Sequence, residues 1–284
     1  MISYPIAAAI ISTFLFAFGD TISRRVSSLS GSMSTSLLFI GFGIVPMLLA
    51  AAFLPAFITP SEAVVSALSG GLLALGYIAF YKTLETEQVS NVGVVSEIIP
   101  VVIIAFGILF LGERISSLGM VLMVVVLSGV LLATFNPGMG FNRKIAPAVL
   151  SAFIWAIYWL PISYMIYGSS DYVLPLLISR VSAFVLILAY FAISSSKIRI
   201  PKIGLSASRV AAYGLAGGIM DGTATLLFGF ATHAKLLVVA AAITTITPII
   251  IMAAAYFLFK ERLTPIQKAG ILVAVIGAIG LALI

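Results

Sequence analysis

Charged residues in this chain sit in short clusters separated by apolar runs of about 20 residues, the length of one helical pass across a bilayer. Hydrophobic residues fill 62% of the 284 positions, charged residues fill 8%, and the mean hydropathy is +1.25. Soluble domains run at about 45–50% apolar and about 25% charged. No water-soluble fold can hide this much apolar surface, so the expected fold is an all-α integral membrane protein. Ten helices of about 20 residues would use roughly 200 positions and leave only short loops, with no extramembrane domain. The helices are expected at roughly 4–22, 34–54, 62–82, 89–111, 116–135, 146–167, 172–194, 209–231, 236–259 and 265–284. Thr59-Pro60-Ser61-Glu62 reads as an N-cap, a proline in the first turn and a capping-box glutamate. Thr264-Pro265 repeats the cap and proline before the last helix, and Asn136–Gly140 is the best linker. The N-terminus lacks a basic leader region and reads as the first helix, not a removed signal.

The chain also repeats itself. Shifted by 148, Gly70 falls on Gly218, Pro100 on Pro248, Glu113-Arg114 on Glu261-Arg262 and Gly129 on Gly277. In predicted helices one and six the shift is 139, which places Ser12 on Ser151, Phe14 on Phe153, Phe16 on Trp155 and Ala17 on Ala156. The two units are residues 1–138 and 144–284, with five helices each. Five is odd, so the second unit starts on the opposite side of the membrane. Ten transmembrane helices in two inverted five-helix repeats is a transporter architecture.

These residues resemble the drug/metabolite transporter superfamily in its ten-helix EamA-type form. The first copy carries Pro100, Leu111-Gly112-Glu113-Arg114 and Gly129; the second carries Pro248, Phe259-Lys260-Glu261-Arg262, Gly270 and Gly277. Leu177-Ile178-Ser179-Arg180 resembles the family's arginine in the second helix of a repeat, which the first copy lacks. Lys260 stands where the pattern usually has glycine. The resemblance implies both termini in the cytoplasm. The distribution of basic residues points the other way. Twelve of the fifteen lie in loops after odd-numbered helices, two in the other loops, and Arg180 within a helix, which puts the termini outside.

Ionisable groups inside a span are costly and mark function by default. Glu97 and Asp221 sit near the middle of predicted helices four and eight, and Arg180 lies somewhat short of the middle of helix seven. Glu97 shares a face with Gly93, Ser96 and Pro100, and Pro100 cannot donate to the carbonyl of Ser96. The matching face of helix nine carries Ala241, Thr244, Thr245 and Pro248. Asp221 shares its stripe with Gly218, Thr225 and Phe228, and the corresponding stripe of helix three carries Leu73 and Tyr77. Ser12, Phe16 and Asp20 recur at every fourth position in helix one, as Ser151, Trp155 and Trp159 do in helix six. Trp155 is too deep for an interfacial belt and is expected to line a cavity. The candidate substrate or coupling residues are therefore Glu97, Asp221, Tyr77, Trp155, Ser96, Thr244, Thr245 and Arg180. Each has a packing alternative; Glu97 or Asp221 could serve as a fixed counter-ion to Arg180. Glu113 and Glu261 are expected to mark turns near helix starts, and Gly270, Ala274 and Ala278 to pack within the fold or in a dimer.

With no cysteine, thiol catalysis, disulfides and thiolate metal sites are excluded, and a single histidine cannot build a His-rich zinc site. No cofactor, metal or catalytic residue is expected. The net charge of +6 belongs to loops at the membrane surface, so no nucleic-acid partner is expected. No phosphate-binding GxxxxGK[ST] loop occurs, so ATP is not the direct drive. A lipid-modifying enzyme lacks a catalytic cluster here, and a channel lacks a recognisable filter. A secondary transporter fits best. The expected partners are the bilayer, a small-molecule substrate and protons, with the chain a monomer or homodimer. One deep arginine disfavours phosphate-bearing substrates. An amino acid or related amine-bearing metabolite, exported, suits the midplane acids; efflux of lipophilic cationic drugs is the alternative.

Overall fold

The computed structural model describes residues 3–54, 57–85, 87, 98–134, 146–169, 171–193, 205–259 and 264–283. The described residues are almost wholly helical, in the order α1 (Tyr4–Phe53), α2 (Pro60–Leu84), α3 (Ile98–Phe110), α4 (Ser117–Thr134), α5 (Ala146–Ile166), α6 (Val173–Ile193), α7 (Leu205–His233), α8 (Leu237–Thr244), α9 (Thr247–Phe259) and α10 (Pro265–Leu283). Among the described residues, six stretches are long and apolar enough to cross a membrane, and three shorter apolar helices join them. The expected linker at Asn136–Gly140 and the start of predicted helix four lie outside the described residues.

Two boundaries differ from expectation. The predicted loop between helices one and two is helical, and α1 runs through it for 50 residues, broken only at Gly31 (φ 81°, ψ 166°). That conformation suits a residue without a side chain. Hydroxyl residues on either side of it satisfy helix carbonyls: Ser30 Oγ donates to Val26 O and Thr35 Oγ1 to Gly31 O. Glu85, just beyond α2, accepts from the Ser32 amide at 2.7 Å and caps the second arm of α1. Burial alone would raise the Glu85 carboxyl; its bonds to Lys82 and Ser32 outweigh that and hold it below its ordinary value.

The second difference is the split of predicted helix nine into α8 and α9 at Thr245 and Ile246. Pro248 has no N–H, so the carbonyl of Thr244 finds no donor four residues on. The chain tightens there, with Ile246 N donating to Ile243 O at 3.2 Å. Elsewhere the capping chemistry is as read. Thr59 N donates to Glu62 Oε2 at 2.9 Å, and Glu62 N returns a bond to Thr59 Oγ1 at 3.3 Å. Thr264 and Gln267 form the same reciprocal pair before α10.

Helix packing is reciprocal. α1 packs against α7, α2 against α5 and α6, and α4 against α10. At the last crossing, a Cβ on Gly129 would lie 2.8 Å from Ala274 Cβ, and one on Gly277 would lie 2.9 Å from Val126 Cγ2. The shift of 148 converts one of these contacts into the other, as at a two-fold axis. Ala274 is therefore spent within the fold.

Glu113 also departs from expectation. It caps α8, far away in the chain, by accepting from the amides of Leu237 (2.8 Å) and Val238 (2.9 Å). Burial raises its carboxyl above the ordinary value despite these bonds. Tyr167 also bonds Glu113, and burial, with the Glu113 charge, pushes its phenol up to about 12. Nearby, Phe57 N donates to Asp171 Oδ2 at 3.0 Å and Gly168 N to His233 O at 3.2 Å. His233 packs on Tyr172 with ring centroids 5.3 Å apart.

Candidate functional site

Arg180 is the largest fully buried side chain, with 1% of its surface exposed. It leaves α6 two turns in and reaches the second arm of α1. There Nε donates to Ile40 O (3.3 Å) and Nη2 to Phe39 O (3.2 Å). Gly43 makes this possible, since a Cβ there would lie 2.5 Å from the guanidinium carbon. From α2, the Tyr77 hydroxyl accepts from Nη2 at 3.3 Å; from α7, Thr225 Oγ1 accepts from Nη1 at 3.4 Å. Asp221 completes the set by forming an ion pair with Arg180 and accepting from the Tyr77 hydroxyl. Four helices thus converge on one cation and one anion, each satisfied by several hydrogen bonds. A charge this deep is stable only in such company.

The cluster forms part of the wall of a part-open cavity of about 130 Å³. Aromatic rings make much of the remainder. Trp155 stacks edge-on to Tyr77 (5.1 Å) and Trp159 to Phe228 (4.8 Å), while Tyr158 bonds Ser179 at 3.2 Å. Residues of α1, α2, α3, α5, α6, α7, α8 and α9 contribute, with Met47 from the second arm of α1 and Leu176 and Arg180 from α6.

The lining follows the repeat. Phe16 and Trp155, Asp20 and Trp159, Leu73 and Asp221, Tyr77 and Thr225, and Ile99 and Thr247 are equivalent pairs by the shifts of 139 and 148, and all ten positions face one cavity.

Of the expected site residues, Tyr77, Trp155, Arg180, Asp221 and Thr244 meet at this cavity. Thr245 does not line it; it is buried and donates to Ala242 O within its own turn. Glu97 and Ser96 lie outside the described residues. The fixed counter-ion of Arg180 is Asp221. Sequence reasoning left Asp20 out of the site, although its place on the Ser12–Phe16–Asp20 stripe was the signal: Ser12 Oγ donates to Ala224 O at 2.8 Å, which turns the stripe toward α7. Met47 and Tyr158 carried no comparable signal.

The model of the EamA-like transporter family matches twice, over residues 3–135 and 143–283. The chain belongs to the EamA-like transporter family. It is therefore a multi-pass membrane protein of a family that moves small solutes. One solved crystal structure is 16% identical, with a TM-score of 0.72, and the alignment covers 99% of this chain and 98% of that one. At that identity the likeness speaks for the fold alone. No curated protein matches the chain.

Proposed function

We propose that this EamA-like protein is a secondary transporter that moves an amine-bearing metabolite, an amino acid or a close relative, outward by alternating access coupled to protons. Ten passes in two inverted five-helix repeats, 1–138 and 144–284, would carry it. The observation behind this reading is the cavity lined by repeat-equivalent positions and holding buried charge. A site on a pseudo-two-fold axis can face either side of the membrane as the halves rock. The reciprocal contacts of Gly129 and Gly277 support that axis. The discontinuity between α8 and α9 beside Thr244 supports it too, since transporter sites use broken helices.

Glu97 is the coupling carboxylate in this reading, with Asp221 across the cavity. A proton bound in one state and released in the other requires the two states to stabilise it differently. Pro100, one turn on, loosens the helix that carries Glu97. The test is uphill transport in proteoliposomes under an imposed proton gradient. Glu97→Gln keeps the volume and fixes the neutral form. It should abolish accumulation while leaving substrate exchange and the folded state intact. Normal accumulation by Glu97→Gln across the full pH range would end the coupling assignment. Lipophilic cations belong in the same assay, because the aromatic lining suits them as well.

A further inference from the structure

Arg180 and Asp221 neutralise each other, and every bond they make is to protein. Asp20 differs. It lines the same cavity and is only part-buried, and its carboxylate makes no hydrogen bond or ion pair among the described residues. It is therefore the carboxyl of the described lining that no described group pairs. Its neighbour Gly19 packs against α7, where a Cβ would stand 3.6 Å from Gly217 O and 4.0 Å from Asp221 Cβ, and Asp20 and Asp221 line the same cavity.

The surroundings select the kind of cation. Phe16, one turn earlier on the same face, and Tyr77, Trp155, Trp159 and Phe228 present ring faces and edges to the cavity. Rings with a lone carboxylate form a site for an organic ammonium, which gains a charged partner on one side and cation–π contacts on the others. A phosphate group would find only Arg180 among the described lining residues, and Arg180 is already saturated. We propose that Asp20 is the ammonium-binding residue of this cavity and that the aromatic rings hold the apolar part of an amine-bearing ligand. This rests on the transporter reading above and names the group that recognises its substrate.

The chain carries its own reporter. Its two tryptophans, Trp155 and Trp159, both line the cavity, so tryptophan emission reads occupancy there directly. Full-length protein in lipid nanodiscs is titrated with 2-phenylethylamine, cationic at neutral pH, and with 2-phenylethanol, its neutral counterpart, against empty nanodiscs. The wild type should bind the amine at least about ten-fold more tightly than the alcohol. Asp20→Asn should erase that preference while leaving alcohol binding and the melting temperature unchanged, and Asp20→Glu should retain it. An Asp20→Asn protein that keeps the full preference overturns the assignment and leaves the transporter reading standing. So does one that fails to fold, because a carboxylate without protein partners has no structural bond to lose. A wild type that does not prefer the amine overturns both this assignment and the proposed substrate class.

Discussion

The buried charge pair gives the clearest energetic expectation. Arg180 and Asp221 are 1% and 7% exposed. Breaking such a pair from one side leaves an uncompensated buried charge and costs about 3–5 kcal/mol. The two sides differ in what remains. Asp221→Asn leaves Arg180 with Phe39 O, Ile40 O, Thr225 and Tyr77, so its cost belongs near the lower end. Arg180→Met leaves Asp221 only the Tyr77 hydroxyl and belongs near the upper end. Arg180→Met with Asp221→Leu removes both charges and should cost less than the sum by about 2–3 kcal/mol. Reversible denaturation of detergent-solubilised protein, followed by tryptophan emission, measures all four corners of the cycle. Additivity within about 0.5 kcal/mol would show that the two charges do not stabilise each other and would refute the reasoning.

Tyr77→Phe removes a hydroxyl that both Arg180 and Asp221 use, and should cost about 1–3 kcal/mol in the same denaturation assay. Trp155→Ala should instead shift substrate preference more than folding yield, because its indole N–H makes no hydrogen bond, and competition between substrates in proteoliposomes reads the difference. Glu113 has a folded pKa raised by burial, so its contribution is fully present below its unfolded pKa and is lost as pH rises through the folded value. The melting temperature of the wild type relative to Glu113→Gln should fall across that window above the ordinary carboxylate value. Glu85 has the opposite sign: its folded pKa is lowered, so the stability it lends is lost as pH falls through that value, and Glu85→Gln should flatten the acid limb of the melting curve.

Much of the fold was legible because its signals are local. Apolar length, proline and capping residues placed most helix ends within a few residues, and Thr59 with Glu62 forms the bonds its spacing implied. The two misses are also local in cause but ambiguous in sequence. A serine-rich stretch reads as a loop, yet in α1 its hydroxyls bond back to helix carbonyls and keep it helical up to Gly31. An apolar run containing Pro248 reads as one helix, yet the missing amide divides it. Glu113 could not be assigned from its neighbours, since its partners Leu237 and Val238 are brought to it only by tertiary packing. Arg180 and Asp221 were found as costly groups, but their pairing depends on Gly43, whose missing Cβ is visible only once α1 and α6 meet.

The duplicated chain has an asymmetric site for a physical reason. A perfectly repeated pair of halves would bring each charge close to its own copy across the axis. Two arginines or two facing aspartates in a cavity of this size would repel through a low dielectric, with no room for the partners each needs. The chain avoids this at each charged position. Asp221 is answered by Leu73, and Asp20 by Trp159. Arg180 extends into the space left by Gly43 in the other half and bonds its helix carbonyls. Repetition supplies a backbone in which equivalent positions of the two halves face one cavity. Divergence at these few positions supplies one ion pair and, at Asp20, a carboxyl that no group among the described residues pairs. The lining of the cavity therefore follows the repeat, whereas its charged groups stand at the positions where the repeat is broken.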